Sequence, residues 1–367
     1  NTRQNRLLGN FIGTDVTGTI DLGNDGRGVQ ISGGASGNFV GTDGDGTDDS
    51  NEGNLISGNA LTGVRIVGLS TDDNRIAGNF IGTDATGEIA IANGTPGVTA
   101  SWGIYVASDA NNTIVGTNGD GVSDAVEGNL ISGNVSDGVK LQNRATGTVV
   151  AGNLIGTNQD GSLPLGNQRF GIFVQEADSN RIGTDGDGIS DAVERNIISA
   201  NAGNGVFLTG VGTHHNVVAG NYIGTDVTGT IDLGNAANGV LVNGGASDNV
   251  IGTNGDGSID AVEGNLVSGN TGAGVRIEGL GSDDNTVAGN YIGTDRTGEA
   301  ALGKGAAGVY GSWGVLVFAD AAGTVIGTDG DGVSDAAEGN LISGNYSQGI
   351  YILDRVTSTV VAGNRIG

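Results

Sequence analysis

The sequence predicts an all-β fold, a right-handed parallel β-helix (β-solenoid) of about eleven coils with three short strands per coil. Three observations predict it. A tetrapeptide G-N-x-(I/V) recurs along the whole chain, a second motif G-(V/I)-x-(I/L/V) alternates with it, and 74 glycines against two prolines mark many tight turns without any collagen period.

The tetrapeptide places asparagines at Asn10, Asn54, Asn79, Asn129, Asn153, Asn196, Asn221, Asn265, Asn290, Asn340 and Asn364. An Ile or Val follows each by two residues, from Ile12 to Ile366, which is the period of a strand. Only once is the preceding glycine replaced, by Arg195. The second motif runs from Gly28–Ile31 to Gly349–Ile352, and a third short strand precedes each asparagine, as at 38–40, 180–182 and 249–251. Strands this short are unstable alone, and stacking coil on coil both pairs their backbones and buries a column of Ile, Val and Leu. At about 4.8 Å per strand, the rod is on the order of 50 Å long. The asparagines are expected to form a buried ladder at one corner of the coil.

Coil lengths alternate because insertions alternate, so two coils make one cycle. Cycles start near residues 9, 78, 152, 220, 289 and 363, and residues 1–367 read as a single solenoid. The pattern repeats with a period of 211 residues: 11–24 recurs at 222–235 with one substitution, and Ser101-Trp102-Gly103 recurs as Ser312-Trp313-Gly314. This is a tandem duplication. Neither end carries an atypical repeat, Asn1 is not a start residue and the sequence holds no methionine, so the chain is expected to be a piece of a longer one or to self-associate, end to end or laterally.

Composition narrows the function classes. Forty-one acids against fifteen bases give a net charge of −26, which repels phosphate backbones and anionic lipid, so cations or proteins are the expected partners and nucleic acid is not. No apolar run approaches the ~20 residues of a membrane helix, so no membrane insertion is expected in this segment. The absence of cysteine says nothing about compartment.

Every second coil carries a twelve-residue insertion, G-T-(D/N)-G-D-G-x-x-D-x-x-E, in five copies: 41–52, 116–127, 183–194, 252–263 and 327–338. Counted from the first glycine, side-chain oxygens fall at positions 3, 5, 9 and 12, with glycine at 6 for a sharp turn. A hard divalent cation takes six to eight oxygens, and alternate positions of a tight loop aim them inward. The candidate metal ligands are therefore Asp43, Asp45, Asp49 and Glu52; Asn118, Asp120, Asp124 and Glu127; Asp185, Asp187, Asp191 and Glu194; Asn254, Asp256, Asp260 and Glu263; and Asp329, Asp331, Asp335 and Glu338, with Ca2+ as the cofactor. The bland reading is a set of solvated acidic turns, but eighteen of the forty-one acids gathered along one face repel each other without a cation.

These segments resemble the calcium loops of thrombospondin type 3 repeats. The family's position 1 is aspartate, whereas here it is Gly41, Gly116, Gly183, Gly252 and Gly327, which implies weaker sites of the kind extracellular modules have. The three-strand coil resembles the β-helix of pectate lyases and related polysaccharide enzymes. Those need one non-repeating cluster of acids with arginine or lysine and aromatic sugar platforms, and the repeat here reads as unbroken, so the chain is expected not to be an enzyme.

Other features carry less. The threonines of the I-G-T and V-G-T motifs suit turn capping better than ice binding. Adjacent His214-His215 lack a third ligand, and Trp102 and Trp313 serve either local packing or lateral contacts. The expected function is a structural extracellular or cell-surface β-solenoid (stalk, adhesin shaft, sheath or filament subunit) stabilised by calcium. The alternative is a non-catalytic or accessory β-helix part of a carbohydrate-active enzyme.

Overall fold

Alternation of aliphatic and polar residues on strands of two to four residues, closed by glycine turns, produces the expected solenoid in the computed structural model, which describes residues 2–303 and 311–367. All strands are parallel and pair only with the equivalent strand one coil away. The first sheet has eleven strands, from Arg6–Leu7 through Arg75–Ala77 to Val360–Ala362, and the second has eleven, from Phe11–Ile12 through Phe80–Ile81 to Arg365–Ile366. The third has ten, from Val29–Ser32 to Ile350–Ile352. Together they form a right-handed parallel β-helix. No helix among the described residues is long and apolar enough to cross a membrane.

Register is strict, so like stacks on like: Ile56 pairs with Ile81, Ile131 with Ile155, Ile66 with Val106. The inward positions are aliphatic, and both the second-sheet column of Ile81, Ile131 and Ile155 and the third-sheet column of Val174 and Leu208 are fully buried.

The asparagine ladder is continuous. Each amide Nδ2 and backbone N donates to Oδ1 of the asparagine in the following coil, at 2.9 and 3.0 Å for Asn129 on Asn153. The same Nδ2 also reaches back, from Asn129 to the carbonyl of Ile76 in the preceding coil at 2.8 Å. Each side chain thus ties three coils. Two further ladders, not singled out in the sequence, stand at the other corners. One runs Asn24, Asn59, Asn93, Asn134, Asn167, Asn201, Asn235, Asn270. The other appears in two runs, Asn5–Asn38–Asn74 and Asn180–Asn216–Asn249–Asn285.

Two sets of excursions leave this frame. The acidic loops leave the first sheet in even coils, each containing a short helical turn such as Asp124–Glu127. In odd coils hairpins at 13–24, 82–93, 156–167, 224–235 and 293–303 leave the second sheet, each closed by an antiparallel bridge such as Thr83 to Ala90. An aspartate organises four of the hairpins and Asn158 the third: Asp15 accepts from the Thr17 hydroxyl and from the backbone N of Thr19 and Ile20, and these bonds hold its carboxyl down at about 2. The hairpins stack on one another through Ala85 N to Gly18 O, Gln159 N to Gly87 O and Val227 N to Gly161 O, at 2.9 to 3.2 Å. Gly18 is required there, because a Cβ would lie 2.7 Å from that of Ala85 in a left-handed turn.

Replacing Asn153 by Ala orphans two buried donors on Asn129, each worth about 1–3 kcal/mol, while Leu163→Ala at an exposed hairpin position changes stability by less than about 0.5 kcal/mol. Urea denaturation of the two variants should separate them accordingly.

Candidate functional site

Inside each acidic loop, short polar side chains replace the missing secondary structure. The threonine at position 2 donates to the aspartate at position 9, as Thr42 does to Asp49 at 2.9 Å, and accepts from the backbone N of Gly44 at 3.1 Å. That aspartate also accepts from the Gly46 backbone N. The loop threonines are therefore consumed in turn capping, and Thr42, Thr83, Thr117, Thr157 and Thr225 are all fully buried, so the array presents no flat exposed face.

The structure brings positions 3, 5 and 9 together. Carboxylate oxygens of Asp43, Asp45 and Asp49 lie within 4.8 Å of one another, as do those of Asp185, Asp187 and Asp191 and those of Asp329, Asp331 and Asp335. In the other two loops Asn118 and Asn254 donate to Asp120 and Asp256 at 2.8 and 3.1 Å, so an amide occupies the place of the third carboxylate beside Asp124 and Asp260.

Position 12 behaves differently. Glu52, Glu127, Glu194, Glu263 and Glu338 turn inward, and each accepts the backbone N of position 3 of its own loop, at 3.0 to 3.2 Å. Burial pushes the carboxyls of Glu127, Glu194 and Glu263 up, against the pull of Arg75 on the first and of threonine hydroxyls on the others. Glu127 pairs with buried Arg75, whose other nitrogen donates to the Asp43 carbonyl at 3.1 Å, so one cation bridges two loops. Arg6 pairs with Asp43, and Arg181 lies 3.1 Å from Asp185 and 3.5 Å from Glu194.

The loops also form a ladder. Ser123 bonds to Asp49 of the preceding loop and holds its carboxyl below the usual carboxylate range. Ser190 bonds to Asp124 and Ser334 to Asp260 in the same way. In the fourth loop Ile259 takes the serine's place. Glycine at position 1 has a packing cause: a Cβ on Gly41, Gly116 or Gly183 would lie 1.8 Å from a carbonyl oxygen of the next coil, and all five copies have φ between +91° and +109°.

A second feature was missed in the sequence because it is visible only when coils are superposed. Outward positions of the third sheet stack Arg65, Tyr105, Lys140, Phe173 and Phe207 on successive strands. Trp102 stacks on Tyr105 at 4.4 Å, and the Lys140 ammonium lies 4.8 Å from the ring centres of both Trp102 and Phe173. Beside them Asp137 is fully buried; burial pushes its carboxyl up to about 6 against the opposing pull of Arg169, 3.5 Å away. Tyr105 and Lys140 correspond to Leu316 and Tyr351 in the second tandem copy, so this patch does not repeat. Trp102 serves local packing, while Trp313 donates from Nε1 to Gln348 at 2.8 Å; residues 304–310 of its preceding loop lie outside the described residues. His214 and His215 contact each other through Nδ1 at 2.8 Å.

A third feature is a longitudinal groove. Its floor is the outward column of the second sheet, and its walls are the acidic loops on one side and the hairpins on the other. It opens into a cavity of about 390 Å3 beside Phe80, Val126 and Gln159, and into one of about 250 Å3 between Arg195, Tyr222, Tyr291 and Arg296.

No protein-family description and no curated relative matches the sequence. Among solved structures the chain is similar to the periplasmic alginate epimerase AlgG (14% identity, TM-score 0.45), covering 89% of this chain and 62% of that one. It is also similar to the A-module of the Azotobacter vinelandii mannuronan C-5 epimerase AlgE4 (14%, 0.41, covering 94% and 90%) and to an alginate lyase from Paenibacillus sp. (13%, 0.35, covering 91% and 88%). The chain thus spans less than two thirds of the AlgG structure's length. These likenesses concern the fold.

They correct one expectation. The expectation that a chain this regular is not an enzyme fails, because solved β-helices include epimerases and a lyase, and regularity excludes no catalysis. The premise of an unbroken repeat also fails at Asp137, Lys140 and Arg169, which are unique to one stretch of the rod.

The raised Asp137 carboxyl fixes a pH dependence. The native state binds its proton more tightly than the unfolded chain, so this group's stabilisation is complete below about pH 3.8 and is lost as pH rises through about 6. Urea midpoints measured across that window should fall with pH, and Asp137→Asn should flatten the fall.

Proposed function

We propose that the chain is the β-helix part of an exported, carbohydrate-active protein, its rod braced by calcium in the acidic loops. The observation that carries the calcium reading is the convergence of three carboxylates within 4.8 Å in three loops of a chain with net charge −26. Hard oxygen donors in a glycine-rich turn suit Ca2+. The residues that would hold it are Asp43, Asp45 and Asp49, Asp185, Asp187 and Asp191, and Asp329, Asp331 and Asp335. Asn118 with Asp120 and Asp124, and Asn254 with Asp256 and Asp260, would make two weaker sites. Glu52, Glu127, Glu194, Glu263 and Glu338 would support the loops from within, holding the backbone at position 3. Thrombospondin-like loops of this affinity class belong outside the cell, where calcium reaches millimolar levels. The same bracing suits a stalk or adhesin shaft.

The carbohydrate-active reading is supported by the non-repeating patch on the third sheet, where a buried acid with a raised pKa stands between Lys140 and Arg169 among aromatic rings. Perturbed titratable groups gathered at one place are the usual sign of a chemical site.

Calorimetric titration with Ca2+ should find three tighter sites and two weaker ones, and 10-fold excess over the tighter Kd should add about 1.4 kcal/mol per site to stability. Melting curves that are the same in EDTA and in millimolar Ca2+ would refute the calcium reading. Incubation with acidic polysaccharides should release or modify product, with loss of activity in Asp137→Asn; no change in any such substrate counts against the second part.

A further inference from the structure

The groove between the acidic loops and the hairpins has no role in the readings above. Its floor is a strand only two residues wide, so it admits a single extended chain and no folded partner. Aromatic rings lie on that floor in alternate coils, Tyr222 and Tyr291 in the second tandem copy, about 10 Å apart at the strand spacing. Two cations meet them there. The Arg195 guanidinium sits 4.2 Å from the Tyr222 ring centre and Arg296 lines the same cavity from the hairpin wall. Neither pairs with a carboxylate among the described residues.

Two departures from the repeat point the same way. Arg195 is the one residue that replaces the glycine of G-N-x-(I/V), although a Cβ on the equivalent Gly128 or Gly264 would lie 2.0 to 2.1 Å from a carbonyl oxygen of the next coil. A residue that crowds the backbone at this corner places a guanidinium in the groove. Between the tandem copies, the groove positions change in one direction: Phe11 to Tyr222, Phe80 to Tyr291 and Ala85 to Arg296. Each change adds a polar or charged group while the inward aliphatic columns stay aliphatic.

We propose that this groove binds a linear, carboxylate-bearing oligosaccharide, with Tyr222 and Tyr291 against the apolar faces of the sugar rings and Arg195 and Arg296 on the carboxylates. The proposal rests on the carbohydrate-active reading and supplies it with a second surface, apart from the third-sheet patch. Aromatic rings and guanidinium groups also suit single-stranded nucleic acid, which, like a uronate, brings a charge on every unit to a rod of net charge −26; the hydroxyls gained at Tyr222 and Tyr291 favour the sugar, whose own hydroxyls they can bond, over a base that stacks equally well on phenylalanine.

The test is titration calorimetry of the full chain in calcium buffer with short oligogalacturonate, a neutral cello-oligosaccharide and oligothymidylate. Oligogalacturonate should bind most tightly. Arg195→Gly and Arg296→Ala, which restore residues the repeat itself uses at these positions and so keep the fold, should together raise its Kd about tenfold or more, a loss of about 1.4 kcal/mol. Tyr222→Phe with Tyr291→Phe should weaken binding less than Tyr222→Ala with Tyr291→Ala. The proposal is overturned if wild-type protein does not bind oligogalacturonate, if the arginine variants bind it unchanged, or if oligothymidylate or the neutral sugar binds better. Binding that persists in these variants but is lost in a third-sheet variant removes the groove and leaves the carbohydrate-active reading standing. A melting curve insensitive to EDTA removes calcium bracing alone.

Discussion

In a parallel solenoid each residue sits directly above its equivalent, so any side chain that is tolerated once must be able to stack on itself. An amide meets that demand without an unpaired group: Asn Nδ2 donates forward to the next Oδ1 and back to a carbonyl of the previous coil. Three corners of this rod use the device, and the interior between them is left to aliphatic residues that need no partner. Glycine follows from the same constraint, since the turns leave no room between successive coils for a Cβ at positions such as Gly53 and Gly116.

With the corners fixed, insertions can leave the coil only where a strand ends, and they must still stack. The acidic loops and the hairpins each satisfy this by building their own ladder at two-coil spacing, one through serine–carboxylate bonds and Arg75, the other through backbone bonds such as Ala85 to Gly18. The second sheet lies between the two ladders as the floor of a groove. A surface feature of this kind is created by what flanks it, and no single motif in the chain encodes it.

That is why the sequence was legible unevenly. The coil, the strands and the first asparagine ladder could be read directly, because a period-two pattern of Ile behind Asn has one structural solution when it recurs eleven times. The convergence of Asp43, Asp45 and Asp49 followed from loop spacing alone. The inward turn of Glu127 did not, and neither did its pairing with Arg75 from a neighbouring coil, 52 positions away in the chain. The stack of Arg65, Tyr105, Lys140 and Phe173 was equally hidden, since each residue looks like an ordinary outward strand position until the register brings them together. Regularity of the scaffold concealed irregularity of its faces.

The glycine that opens each acidic loop has a consequence for how such a rod changes over time. Because the next coil's carbonyl occupies the space a side chain would need, no ligand can be gained at that position without breaking the stack. Mutation can adjust the charge of the loops only further along, and position 3, where Asp43, Asp185 and Asp329 alternate with Asn118 and Asn254, is where the copies have drifted. The scaffold thus restricts which substitutions are available, and the charge of each loop changes in single steps at positions such as 3, and 8, where Asp48 stands against Ser123, Ser190, Ile259 and Ser334.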